Sequence, residues 1–154
     1  MTILLDIDGV LVTTPAWRAV ELDTDGFLRF NEKAAKNLSK IINETNAGIV
    51  LTTTHRINYS VDEWKEIFKV RGIHPSSVSK LNDIEKLSDM ADRATEIQEW
   101  INKQTDRQPY VIIDDDLSIN GLPITIKDKC ILTNSMIGLD EKSTIKALDI
   151  LRNQ

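Results

Sequence analysis

Two carboxylates stand one residue apart in Leu4-Leu5-Asp6-Ile7-Asp8-Gly9. On an extended strand, positions two apart project to the same side, so Asp6 and Asp8 should face one ligand at the strand's carboxyl end. Neighbouring carboxylates repel unless a cation sits close by. A hard divalent ion such as Mg²⁺ takes oxygen donors and usually holds substrate phosphate as well. Gly9 lets the backbone turn sharply and approach a ligand. A second acidic run, Asp114-Asp115-Asp116, follows the apolar Ile112-Ile113 and fits a metal site better than a turn. Between the two runs lies Thr52-Thr53-Thr54-His55-Arg56, where hydroxyls and free backbone amides suit phosphate oxygens. Arg93 opens a helical stretch and could reach back to a phosphate and a nucleophile. Each of these signals has a plainer reading alone: Thr for its strand propensity, an acid for a turn, Arg93 as a surface charge.

The elements that must position these groups follow from apolar patterning. Residues 2–7, 48–53, 110–113 and 130–133 read as short, nearly continuous apolar strands, the pattern of a parallel sheet covered on both faces. Helical stripes lie between them, at Ala34, Leu38, Ile41 and Ile42; at Val61, Trp64, Ile67 and Phe68; at Ala94, Ile97, Trp100 and Ile101; and at Ile145, Leu148 and Leu151. Ser60 and Glu63 have capping-box spacing, and Asp140 is a cap for the last helix. Alternation of strands and helices predicts an α/β, Rossmann-like, doubly wound domain with a central parallel sheet, residues 1–154 forming one domain. Asp25-Gly26, flanked by Val20-Glu21-Leu22 and Phe27–Phe30, signals a small β-hairpin flap after the first strand, overhanging the ligand-binding edge. Trp17, Trp64 and Trp100 read as packing residues, Trp17 least firmly.

Composition is that of an ordered globular chain, with 41% hydrophobic and 28% charged residues. No apolar run approaches the roughly 18 residues of a membrane span. The start shows no secretory signal pattern, and the single Cys130 rules out an internal disulfide; both agree with a cytoplasmic setting. Cys130 reads as a small buried hydrophobe. A net charge of −5 argues against a broad nucleic-acid footprint, though not against a small basic rim at a site.

The order Asp-x-Asp-Gly, Thr, Arg, Asp-Asp, each at an element end, resembles the haloacid dehalogenase-like (HAD) phosphatase superfamily along nearly the whole chain. Thr54-His55-Arg56, Arg93–Ile101, Val111–Asp116 and Leu132-Thr133 with Gly138-Leu139 look like its small capless branch, members of which occur beside RNA-repair enzymes. The resemblance implies Asp6 as nucleophile and Asp8 as acid–base partner, through a phospho-aspartate. It implies Mg²⁺ held by Asp6, the Asp8 carbonyl, Asp114 and Asp115, with Thr52 or Thr53 on the phosphoryl group; strand register decides between the two. Gly9, Thr54 and Arg56 complete the expected substrate contacts. Arg93 stands where the family usually has Lys, with Lys86 and Lys80 as alternatives.

The segments on either side of Thr52 are taken up by the hairpin, one helix each and a connector, so no separate cap domain is expected and the site should be open. An open mouth suits a bulky phosphate ester, such as a nucleic-acid end or a phosphoprotein. The rival readings are a small-metabolite or nucleotide phosphatase capped by oligomerisation, a non-catalytic phosphate-binding or regulatory domain, and a phosphotransferase. A receiver-type signalling domain fits poorly, because its paired acids come early and its acceptor Asp later. The oligomeric state, and the part played by His55 near the site, stay open at this level.

Overall fold

The computed structural model describes residues 1–15, 17 and 19–154. Five parallel strands, β1 (Thr2–Leu5), β2 (Gly48–Leu51), β3 (Val78–Lys80), β4 (Tyr110–Asp114) and β5 (Cys130–Leu132), lie in the order β3-β2-β1-β4-β5. Alternate side chains of each strand enter two different cores. Ile3, Leu5, Ile49, Leu51, Val111 and Ile113 point to one face, where α1 (Glu32–Thr45), α2 (Val61–Val70) and α5 (Glu141–Arg152) supply Leu38, Ile41, Trp64, Phe68, Leu148 and Leu151. Leu4, Val50 and Ile112 point to the other, covered by Ile97 of α3 (Arg93–Lys103) and Ile126 of α4 (Ile124–Lys127). Helices on both faces explain why the strands read as unbroken apolar runs. The doubly wound α/β class expected from the alternation holds, and no cap domain is evident among the described residues.

The strands at the centre end earlier than their apolar runs suggest. β1 stops at Leu5 rather than at residue 7, and β2 at Leu51 rather than at residue 53. The ladder continues for one bond past each end, from Asp6 N to Ile113 O at 3.1 Å and from Thr52 N to Leu5 O at 2.9 Å, before the chains turn away. The carbonyl of Ile7 accepts from the amides of Val10, Leu11 and Val12, so residues 7–12 form a tight turn. β3 went unread because its edge position buries only Val78 fully, leaving no apolar run to see.

Sequence-local signals fared well at the helix starts. Ser60 and Glu63 form the expected reciprocal capping box and Asp140 caps α5 through the Ser143 amide, while Asp92, not read as a cap, caps α3 through the Thr95 amide. The hairpin is present, with a Leu22–Leu28 bridge and the Asp23 amide donating to Phe27 O at 2.8 Å around Gly26, whose φ is 81°. Arg71, at the end of α2, clamps it by donating to Asp25 at 2.6 and 3.0 Å and to Leu28 O at 2.9 Å. Trp64 is fully buried and Trp100 packs partly, but Trp17 is 77% exposed and so contributes no core packing. Among the described residues no helix is long and apolar enough to cross a membrane.

Candidate active site

Register builds the centre of the site. Leu5 pairs with Leu51 on one side and Ile113 on the other. One residue further along, the same row is Thr52, Asp6 and Asp114, on the face that also carries Leu4, Val50 and Ile112. The helix covering that face is α3, whose first residue is Arg93. Its Nη1 donates to Asp114 Oδ2 at 2.5 Å and to Thr52 Oγ1 at 3.3 Å, and lies 3.5 Å from Asp6 Oδ2. Thr52 Oγ1 in turn donates to Asp114 Oδ2 at 3.2 Å. Among the described residues neither Lys80 nor Lys86 pairs with these acids, and Lys86 is exposed. Arg93 is thus the Lys or Arg side chain that meets Asp6 and Asp114 among the described residues.

Asp6, Asp114 and Asp115 offer oxygens all within 4.8 Å of one another. Burial, and then the neighbouring Asp114, push the Asp6 carboxyl up to about 8, with Arg93 pulling only partly the other way. Burial raises Asp115 as well. On Arg93, burial works against the charge, while Asp114 and Asp6 more than offset it and raise its pKa. Three carboxylates facing one guanidinium leave negative charge that is not balanced within the protein, the condition a hard divalent cation meets. Gly9 is part of the same arrangement. Its φ is 77°, and a Cβ there would lie 2.0 Å from Asp115 Oδ2, so the Asp115 carboxylate occupies space that any side chain would fill. The donor set fits Mg²⁺.

Asp8 does not project beside Asp6 from an extended strand. It sits in the turn after β1, with its side chain 55% exposed, and meets His55 Nε2 at 2.8 Å through Oδ2. Hydrogen bonding to Asp8 raises the His55 pKa against the effect of burial. Thr53 is buried, and its Oγ1 accepts from the His55 amide at 3.2 Å. Thr54 is exposed at the start of a short 3-10 segment, Thr54–Asn58.

Arg56 is placed away from any substrate. Its side chain is shut off from water, with Nη1 donating to the carbonyls of Thr52 (3.0 Å) and Thr53 (3.2 Å), and Nη2 to Asn82 Oδ1 (3.1 Å) and Glu96 Oε2 (2.6 Å). It braces the threonine loop from behind. The reason is that the 3-10 turn points residue 56 inward, toward α3, where Glu96 needs a partner.

Thr133 and Gly138 escaped the residue-by-residue reading as site-forming positions. Thr133 Oγ1 donates to Gly9 O at 2.8 Å, and the Leu139 amide to Val10 O at 2.8 Å, so the loop after β5 buttresses the turn carrying Asp8. Gly138, at φ 76°, comes so near that a Cβ would lie 2.5 Å from Val10 O.

This arrangement agrees with a family match along residues 2–144, to the HAD domain in Swiss Army Knife RNA repair proteins. The chain belongs to that family. Comparison with curated proteins and with solved structures gives no match. The matched span includes Asp6, Asp8, Thr52, Thr53, Arg93, Asp114 and Asp115.

Proposed function

We propose that this HAD domain is a Mg²⁺-dependent phosphomonoesterase that works through a phospho-aspartate on Asp6. The observation that carries the reading is the row Thr52–Asp6–Asp114 with Arg93 across it: a nucleophilic carboxylate, a hydroxyl and a guanidinium converge at one sheet edge. Mg²⁺ bound by Asp6, Asp114, Asp115 and the Asp8 carbonyl would neutralise charge on the nucleophile and the phosphoryl oxygens. Asp114 is oriented in this cluster by hydrogen bonds, its Oδ2 accepting from Arg93 and Thr52 and its Oδ1 from the Asp116 amide at 3.0 Å.

An Asp6 oxygen attacks phosphorus as the ester P–O bond breaks, and Asp8 gives its proton to the departing oxygen. Water then attacks the phospho-aspartate, Asp8 takes the water proton, and phosphate leaves with Asp6 restored. Thr52 and Arg93 hold the charge spread over the equatorial oxygens during both displacements.

The absence of a cap among the described residues and the half-exposed Asp8 support a bulky ester, and the family's RNA-repair context supports an RNA end carrying a terminal phosphate. The test is Mg²⁺-dependent phosphate release from an aryl phosphate, a phosphate-ended oligonucleotide and free nucleotides by native protein and by Asp6→Asn. Release that needs Mg²⁺, disappears in the variant and favours the oligonucleotide is expected. A strong preference for free nucleotides overturns the substrate class, and activity retained in Asp6→Asn overturns the mechanism.

A further inference from the structure

Asp6 and Asp114 are locked by burial, but Asp8 is not. It lies in a turn with more than half of its side chain in water, where an aspartate ordinarily spreads over several rotamers. Among the described residues the hydrogen bond reaching its carboxyl comes from His55 Nε2 at 2.8 Å.

His55 is in turn fixed by its backbone and by its ring. Its amide donates to Thr53 Oγ1. Its ring stands edge-on to Phe27, at 5.7 Å between centroids and 87° between planes. Phe27 comes from the hairpin tip and is packed edge-on against Trp64 and Tyr59 at 5.4 and 5.5 Å, with the Arg71 guanidinium 5.5 Å from its centroid. The Arg71–Asp25 clamp holds the hairpin to α2. A continuous packed path therefore runs from α2 through the flap to the Asp8 carboxyl.

We propose that His55 is a positioning residue that holds the Asp8 carboxyl in the rotamer serving the leaving oxygen, with the hairpin acting as its fixed wall rather than as a moving lid. This rests on the phosphomonoesterase reading above. A general acid matters in proportion to how badly the leaving oxygen needs a proton. Losing its alignment must therefore penalise alkyl esters, whose alkoxides are poor leaving groups, more than nitrophenyl esters. A side chain that only supports the fold would lower both rates alike.

The experiment compares kcat/KM of native protein, His55→Ala and His55→Gln on 4-nitrophenyl phosphate and on a phosphate-ended oligonucleotide. The loss in His55→Ala should be larger on the oligonucleotide by about tenfold or more, within the range that acid–base groups contribute. His55→Gln, whose amide N–H reaches the same carboxyl, should recover most of that difference. Equal losses on the two esters, or no recovery in the Gln variant, would overturn the proposal. Side-chain couplings of Asp8 measured by NMR read the positioning without turnover. Native protein should show one χ1 rotamer and His55→Ala an average over several. An Asp8 already averaged in native protein would overturn the positioning role even with the phosphatase intact, whereas a single rotamer in a protein that releases no phosphate from either ester would uphold the positioning and count against the enzymatic reading alone.

Discussion

Arg56 Nη2 and Glu96 Oε2 meet at 2.6 Å inside the protein, with 0% and 3% of their side chains exposed. The pair joins the loop that follows β2 to the first turn of α3, three residues from Arg93. The same guanidinium holds the Thr52 and Thr53 carbonyls, so one buried ion pair aligns the Thr52 hydroxyl with Arg93.

Removing one partner of such a pair leaves an unpaired buried charge, which typically costs about 3–5 kcal/mol. Glu96→Ala and Arg56→Ala should each lose stability on that scale in urea unfolding. The Arg56→Met, Glu96→Leu double variant should recover part of it while leaving the threonine loop less well held, seen as a raised KM.

Arg93 faces Asp6, Asp114 and Thr52 together. Arg93→Ala should lower kcat by roughly 10²–10³, as loss of one preorganised donor does at comparable sites. Arg93→Lys keeps the charge but not the fork, so it should fall between native and Ala. Initial rates at saturating Mg²⁺ check this.

Asp6 carries a pH signature in metal-free protein. Its folded pKa, about 8, lies above the ordinary 3.8, so the folded state holds a proton that the unfolded chain releases. The stability this carboxyl contributes is fully present below about pH 4 and is lost as pH rises through about 8. Unfolding free energy in EDTA should decline over that window. Asp6→Asn should flatten the decline and stabilise the protein at pH 8 by roughly 1–3 kcal/mol. Excess Mg²⁺ should flatten it in native protein alone, as read by denaturant titrations at pH 5 and pH 8.

Gly9 combines φ 77° with a Cβ position 2.0 Å from Asp115 Oδ2. Gly9→Ala should displace Asp115 and abolish Mg²⁺-dependent stabilisation, with a left-handed backbone penalty of about 1 kcal/mol added. Gly26 has a similar φ of 81° but nothing within 4 Å, so Gly26→Ala should cost the backbone penalty and leave Mg²⁺ binding intact. Thermal shifts with and without Mg²⁺ separate the two.

The Arg71–Asp25 clamp lowers the Asp25 pKa, chiefly through the hydrogen bond from Arg71. Its contribution is thus present above the ordinary carboxylate pKa of 3.8 and is lost as pH falls through the lower folded value. Asp25→Asn should cost roughly 1 kcal/mol at pH 7, and the difference from native should shrink below pH 4.

Much of this protein was legible along the chain because its signals are local. The apolar runs around Ile3, Ile49 and Ile112, the capping box at Ser60, the cap at Asp140, and the Asp25-Gly26 turn each depend on neighbours a few residues away. So the α/β class, and the placing of Asp6, Thr52, Arg93 and Asp114 at element ends, followed from residue order. Tertiary structure decided what these groups touch. Parallel register set Thr52, Asp6 and Asp114 in one row across three strands. The turn at Ile7 took Asp8 out of that row and handed it to His55, and the 3-10 turn sent Arg56 inward to Glu96. Those contacts join residues tens of positions apart. Their partners are selected by strand pairing and by the need to neutralise buried charge, neither of which leaves a mark at short range along the chain.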